Sequence, residues 1–172
     1  MSKTEPEKNN GTILIAGMGM SGLFTSCLLA KHGFLIKCFD PMSKNDRKRN
    51  IDRRTTAFLN SAVELFKEIG VWEKLEEFAQ PLSIMEIIDV SSDKSCEPTK
   101  TIFESKEISP NEFGFNIPNK NVINILTEYL RNKKNVTCFY ESEIVSHYGF
   151  DDFISVRTKK GENFTGKLLI AC

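Results

Sequence analysis

The chain has 172 residues, 40% of them apolar and 27% charged, with 23 lysines and arginines balanced by 23 aspartates and glutamates. This composition excludes disorder over most of the length, and the zero net charge argues against a general nucleic-acid binder, whose phosphate contacts need surplus cations. No run reaches the ~18 apolar residues of a membrane span, and the polar start MSKTEPEKNNG lacks an apolar signal core, so the sequence reads as cytoplasmic.

The length fits one domain with a small elaboration, large enough to bury roughly 70% of its unfolded surface. The five cysteines (27, 38, 96, 138 and 172) form no CxxC pair. They read as reduced thiols, and no metal site is expected.

Residues 1–11 are expected to be a disordered polar tail. TILIAG, residues 12–17, is a short apolar run of the buried parallel-strand type. Residues 20–32 place Leu23, Phe24, Cys27 and Leu28 on one helical face, and Gly33 stops that helix. FLIKCFD, residues 34–40, is a second strand, which completes a βαβ unit. Residues 41–54 form a polar, basic connection in which Lys44, Arg47, Lys48 and Arg49 are read as a solvated loop.

The periodicity of Phe58, Ala62, Leu65, Phe66 and Ile69 predicts a helix from about Thr55, with Gly70 as its left-handed cap. Residues 81–117 form a β-rich insertion: LSIMEIIDV and TIFES around the polar loop SSDKSCEP, then FGFNI. Pro118 and Asn119 open a helix carrying Val122, Ile123, Leu126, Tyr129 and Leu130. VTCFY, EIVSHY, DFISVRT and NFTGKLLIA follow as strands with turns between them. The last four read as an antiparallel meander whose final run, LLIA, is apolar throughout and is expected to be central. Tyr129 and Tyr140 are expected to pack with their hydroxyls at the surface.

Gly17-Met18-Gly19-Met20-Ser21-Gly22 is a GxGxxG placed after a strand and at the opening of a helix. In that place the first glycine permits the tight turn, the second lets the backbone approach a pyrophosphate, and the third lets helix and sheet pack closely. Asp40 ends the second strand about twenty residues on, where a carboxylate accepts from an adenosine ribose hydroxyl. A glycine turn used only for packing is the alternative. A carboxylate at Asp40 repels a 2′-phosphate, which leaves FAD or NAD. Asp52, Arg54 and Ala57 form a D-x-R-x-x-A step read as a helix start. There a cation can reach a cofactor and Asp52 can cap or orient it.

These stretches resemble the ubiquinone-biosynthesis hydroxylases, FAD-dependent aromatic monooxygenases similar in fold to p-hydroxybenzoate hydroxylase. The resemblance rests on ILIAGMGMSGLFTSCLLAKHGFLIKCFD, on DRRTTAFLNSAVELFKEIGVWEKL, on PLSIMEIIDV and on FGFNIPNKNVINIL. Lys120 stands where the family has an arginine. The resemblance implies a Rossmann-like α/β FAD-binding fold over residues 12–172, with residues 81–117 in the substrate-side sheet. FAD would rest on Gly17, Gly19, Gly22 and Asp40, with Arg54 near the flavin side and the pyrophosphate. NAD(P)H would reduce the flavin, and O2 would supply the oxygen that hydroxylates a polyprenylated phenol or quinone precursor.

The family continues past a strand like LLIAC into Asp-Gly and Gly-Asp motifs, so the resemblance covers an amino-terminal part only, truncated relative to the family. The expectations that follow are an incomplete or split enzyme, completed by a carboxyl-terminal chain or by homo-oligomerisation, with peripheral association at the inner membrane. A non-catalytic module binding FAD or another adenine dinucleotide, or a gene remnant, is the alternative. An NAD-dependent oxidoreductase fits the D-x-R-x-x-A step and the β insertion less well.

Overall fold

Short runs of β-branched and aromatic residues set the strands of this α/β chain, and a computed structural model describes residues 11–49, 52–90 and 99–172. Residues 1–10 of the expected tail and the SSDKSCEP loop, with Cys96, lie outside the described residues. In chain order the elements are β1 (Ile13–Ala16), α1 (Met20–Lys31), β2 (Ile36–Phe39), α2 (Lys44–Arg49), β3 (Thr55–Leu59), α3 (Asn60–Ile69), α4 (Trp72–Glu76), β4 (Gln80–Leu82), β5 (Ile84–Asp89), β6 (Thr99–Glu104), β7 (Gly114–Pro118), α5 (Asn119–Arg131), β8 (Val136–Phe139), β9 (Ile144–Gly149), β10 (Ile154–Thr158), β11 (Asn163–Gly166) and β12 (Leu168–Ala171). They divide into two compact units. One holds the residues up to Arg53 together with Val122–Cys172, the other Arg54–Asn121.

The first unit is built on a parallel sheet in the order β12-β1-β2-β8. Side chains alternate across its two faces. On one face Phe39 stacks on its in-register neighbour Phe139, centroids 5.0 Å apart, and both meet Phe164 of β11 at 4.8 Å. This cluster joins the sheet to the antiparallel meander β9-β10-β11, and Leu14 and Val156 complete its core. Each such aromatic contact contributes about 1 kcal/mol beyond the burial of its surface. On the opposite face Cys38 meets Ser26 of α1, and α1 meets α5 where the Cys27 thiol donates to the Leu126 carbonyl at 3.6 Å.

The run LLIA does not close the meander. It leaves β11, pairs in parallel with β1 alone, and is the edge strand of the described sheet, with Leu168 and Ala171 exposed. Its apolar run read as a strand flanked on both sides; it has one neighbour among the described residues.

The second unit holds the antiparallel sheet β3-β7-β4 and the separate hairpin β5–β6. The helix predicted from Thr55 begins five residues later. Residues 55–59 are the strand β3, paired with β7 so that Phe58 lies opposite Phe115. Two threonines and a phenylalanine in five residues favour the extended backbone. Phe58 joined the helical pattern because it packs edge-on against Phe66 of α3, centroids 5.1 Å apart. Asp52 therefore precedes a strand and not the start of a helix.

Val63, Phe66 and Ile69 face inward from α3, and Gly70 ends it in the left-handed conformation at φ 82°. Trp72 of α4 packs edge-on against Phe115. Asn119, buried at the start of α5, donates its N–H to the Arg54 carbonyl at 2.9 Å and accepts from the Thr56 hydroxyl at 2.7 Å.

Candidate functional site

The turn from β1 into α1 lies at the carboxyl end of the parallel sheet. Gly17 has φ 103°, a left-handed conformation that favours glycine, and a Cβ there would overlap the Cys172 carbonyl oxygen. A Cβ on Gly22 would overlap the Gly17 carbonyl oxygen. These two glycines are required by the chain's own packing.

Gly19 differs from both. It is exposed, its φ of −64° suits any residue, and a Cβ would meet nothing within 4 Å. Neither backbone nor packing calls for a glycine there, so the space its missing side chain leaves is open to a ligand. Among the described residues no side chain caps α1, whose first helical bond runs from Leu23 N–H to the Gly19 carbonyl. The N–H groups of Met20, Ser21 and Gly22 precede that bond, at the positive end of a twelve-residue helix.

Asp40 is buried beside this turn. Its Oδ2 accepts from Met18 N–H at 2.9 Å and from Arg47 Nη1 at 2.6 Å, while Oδ1 accepts from Met42 N–H at 2.8 Å. Among the described residues three of about four acceptor positions are taken, which leaves Oδ1 one lone pair for a further donor. Arg47 Nη2 also donates to the Met18 carbonyl, so one guanidinium bridges the turn and the acid.

Arg47 is thus not the solvated loop residue expected. Residues 44–49 form α2, capped reciprocally by Ser43 and Asp46: the Ser43 hydroxyl donates to Asp46 Oδ2 at 2.6 Å and accepts from Asp46 N–H at 3.1 Å. The cap sets the helix that carries Arg47 back to Asp40. The Ser-x-x-Asp spacing just past Asp40 is the sequence signal that would have revealed it. Lys44, on the same helix, lies over the Tyr140 ring, 4.9 Å from its centroid. Lys48 and Arg49 are described by their backbone only.

A cavity of about 420 Å³ opens between α2 and α5, with Lys44, Arg47, Asn124, Arg131 and Tyr140 among its lining residues. Of the two tyrosines expected to reach the surface, Tyr129 has a buried hydroxyl with no hydrogen-bond partner among the described residues, and Lys133 lies over its ring at 4.3 Å.

Gly17, Gly19, Gly22 and Asp40 thus come together in the first unit. Arg54 belongs to the second unit, where its carbonyl anchors the start of α5.

The sequence model for an FAD binding domain matches residues 10–172. The chain belongs to this family of FAD-binding domains. FAD is accordingly its cofactor. No curated protein matches the sequence.

Solved structures similar to the chain include the Diels-Alderase PyrE3 of pyrroindomycin biosynthesis (22% identity, TM-score 0.72, covering 95% of this chain and 32% of that one). They also include p-nitrophenol 4-monooxygenase PnpA from Pseudomonas putida DLL-E4 (17%, 0.71, 94% and 41%). A third is PqsL, a probable FAD-dependent monooxygenase from Pseudomonas aeruginosa (14%, 0.63, 92% and 41%). At these identities the likeness is one of fold. The chain spans between 32% and 41% of the length of these three proteins.

Proposed function

We propose that the chain supplies the dinucleotide-binding part of an FAD-dependent aromatic monooxygenase. The observation that carries this reading is the open position at Gly19, set between uncapped N–H groups and the Asp40 carboxylate, in a chain of the FAD-binding-domain family. The FAD pyrophosphate would lie against Gly19 and the first turn of α1, and the remaining Oδ1 lone pair of Asp40 would accept from the adenosine ribose. Gly17 and Gly22 hold the turn in the shape this needs. Arg47 holds Asp40 oriented, and Arg54 is assigned to the pyrophosphate through the D-x-R-x-x-A resemblance.

Bound FAD would supply the redox chemistry: reduction by NAD(P)H and activation of O2. The substrate class, a polyprenylated phenol or quinone precursor of ubiquinone biosynthesis, rests on the resemblance of the four sequence stretches. The monooxygenase names of PnpA and PqsL are consistent with hydroxylation. With 32–41% of such proteins' length, catalysis would require further polypeptide, in a longer or complementing chain or a second copy. A cytoplasmic protein peripheral to the inner membrane suits such a substrate; no helix among the described residues is long and apolar enough to cross a membrane.

A second reading, a flavin-binding module without hydroxylase activity, is favoured by the likeness to a Diels-Alderase, because one fold carries both kinds of reaction.

The test is a visible absorption spectrum of the purified chain after equilibration with excess FAD and gel filtration. Retained flavin supports both readings, and absence of retention under saturating FAD would remove both. Hydroxylation of a prenylated phenol with NAD(P)H, in the presence of the complementing polypeptide, separates them.

A further inference from the structure

The sheet face opposite the phenylalanine cluster carries a group of thiols that flavin binding does not use. Cys38 of β2 and Cys138 of β8 are direct partners in the parallel register. Neighbouring strands lie about 4.8 Å apart, inside the ~4.4–6.8 Å range of Cα separations that a disulfide spans. The Ser26 hydroxyl donates to the Gly22 carbonyl at 2.6 Å, and its oxygen lies 3.1 Å from the Cys38 sulfur.

The two cysteines have different surroundings. Cys38 is fully buried. Cys138 is half-buried and lines a cavity of about 200 Å³ together with Lys44, Arg131, Thr127 and Tyr140. The neighbouring Cys38 thiol, and then the charges of Lys44 and Arg47, hold the Cys138 thiol below its ordinary range against the opposing effect of burial. Cys38 is displaced upward by its neighbour Cys138 and by burial. Cys27, the third thiol on this face, is bonded to the Leu126 carbonyl and pushed up to about 12, chiefly by burial.

We propose that Cys38 and Cys138 form a redox-responsive dithiol in which a peroxide entering the cavity oxidises Cys138 and Cys38 resolves the product to a reversible disulfide. In the first step the Cys138 thiolate attacks one peroxide oxygen. An S–O bond forms, the O–O bond breaks, and hydroxide leaves to be protonated to water; sulfur loses two electrons and the peroxide gains them. In the second step the Cys38 sulfur attacks Cys138, the S–O bond breaks, and a second water leaves with the Cys38 proton. A bridge formed here would be opened again by thiol–disulfide exchange. It would tie β2 to β8 two residues before Asp40, whose N–H donates to the Phe139 carbonyl at 3.0 Å.

The experiment uses the reduced full chain at pH 7, treated with graded hydrogen peroxide, blocked with N-ethylmaleimide and mapped by peptide mass spectrometry. Cys172 is exposed and serves as the internal comparator. The expected result is a Cys38–Cys138 peptide that dithiothreitol removes, with Cys138 consumed about tenfold faster than Cys172. In Cys38→Ser, dimedone should trap a sulfenic acid on Cys138; the wild-type map decides the matter if that variant does not fold. Oxidation of Cys138 no faster than that of Cys172, or its pairing with Cys27, Cys96 or Cys172 in place of Cys38, would overturn the proposal.

Discussion

Arg47 donates to Asp40 at 2.6 Å while its other terminal nitrogen holds the Met18 carbonyl, so the acid of β2 and the glycine turn are fixed by one side chain. The pair is largely withdrawn from water, with side-chain exposures of 16% and 7%. Removing the cation would leave Asp40 buried with two backbone N–H partners and no counter-charge among the described residues. Arg47→Ala is therefore expected to cost about 2 kcal/mol, below the ~3–5 kcal/mol of a fully buried pair because those N–H groups remain. Arg47→Lys should recover part of this, since an ammonium can meet Asp40 or Met18 but cannot fork between them. Urea denaturation of both variants checks the order. Equal stability of wild type and Arg47→Ala would show that the clamp carries no load.

The three glycines of the turn separate packing from binding. Gly22→Ala and Gly17→Ala force a Cβ onto a carbonyl oxygen, so both should lower the thermal midpoint. Gly19→Ala has free space and an ordinary φ, and its stability should stay within about 0.5 kcal/mol of wild type. Its FAD affinity should nevertheless fall at least about tenfold, because the methyl occupies the approach of the pyrophosphate. Paired thermal melts and FAD titrations test this. Unchanged FAD affinity in a stable Gly19→Ala protein would refute the placement.

The βαβ unit, with its turn and terminal acid, was legible because each signal is local: an apolar run, three glycines at fixed spacing, and an acid at the next strand end. Arg47 was not legible as a site residue, since a basic stretch of polar residues has the same composition whether its cations meet solvent or fold back on a buried carboxylate. The Thr55–Leu59 strand was hidden because Phe58 packs on Phe66, which gave a strand residue a helical spacing. The edge position of LLIA depends on its pairing with β1, more than 150 residues earlier in the chain, and no local pattern encodes that partner.

Alkaline pH offers a test that needs no ligand. Cys27 keeps its proton in the folded chain up to about 12, whereas in the unfolded chain it ionises near 9. Between those values the unfolded state binds fewer protons than the native state, so this group makes stability fall as pH rises, by at most about 1.4 kcal/mol per pH unit. Below pH 9 both states are protonated and the contribution is flat. Cys27→Ala should therefore be less stable than wild type at pH 7 through lost packing, yet lose stability less steeply between pH 9 and 11. Unfolding free energies measured across that window give the two slopes, and parallel slopes would show that Cys27 ionises alike in both states.

The β5–β6 hairpin presents apolar side chains on both of its faces. Met85 and Phe103 are cross-strand partners on one, beside Ile87, which is 52% exposed; Ile84, Ile88 and Ile102 lie on the other, with the Lys100–Glu86 ion pair at 3.0 Å among them. An isolated two-stranded hairpin is marginal in water, and its stable forms cover at least one face. Burying one such isoleucine against a partner gains roughly 2 kcal/mol, so the isolated chain is expected to self-associate at micromolar concentration. Ile87→Thr together with Ile102→Thr keeps β-branched residues in both strands while removing an apolar anchor from each face. Sedimentation velocity should then show a shift from larger species toward the 19.5 kDa monomer. A wild-type chain that sediments as a single monomeric species at these concentrations would show that the hairpin needs no cover.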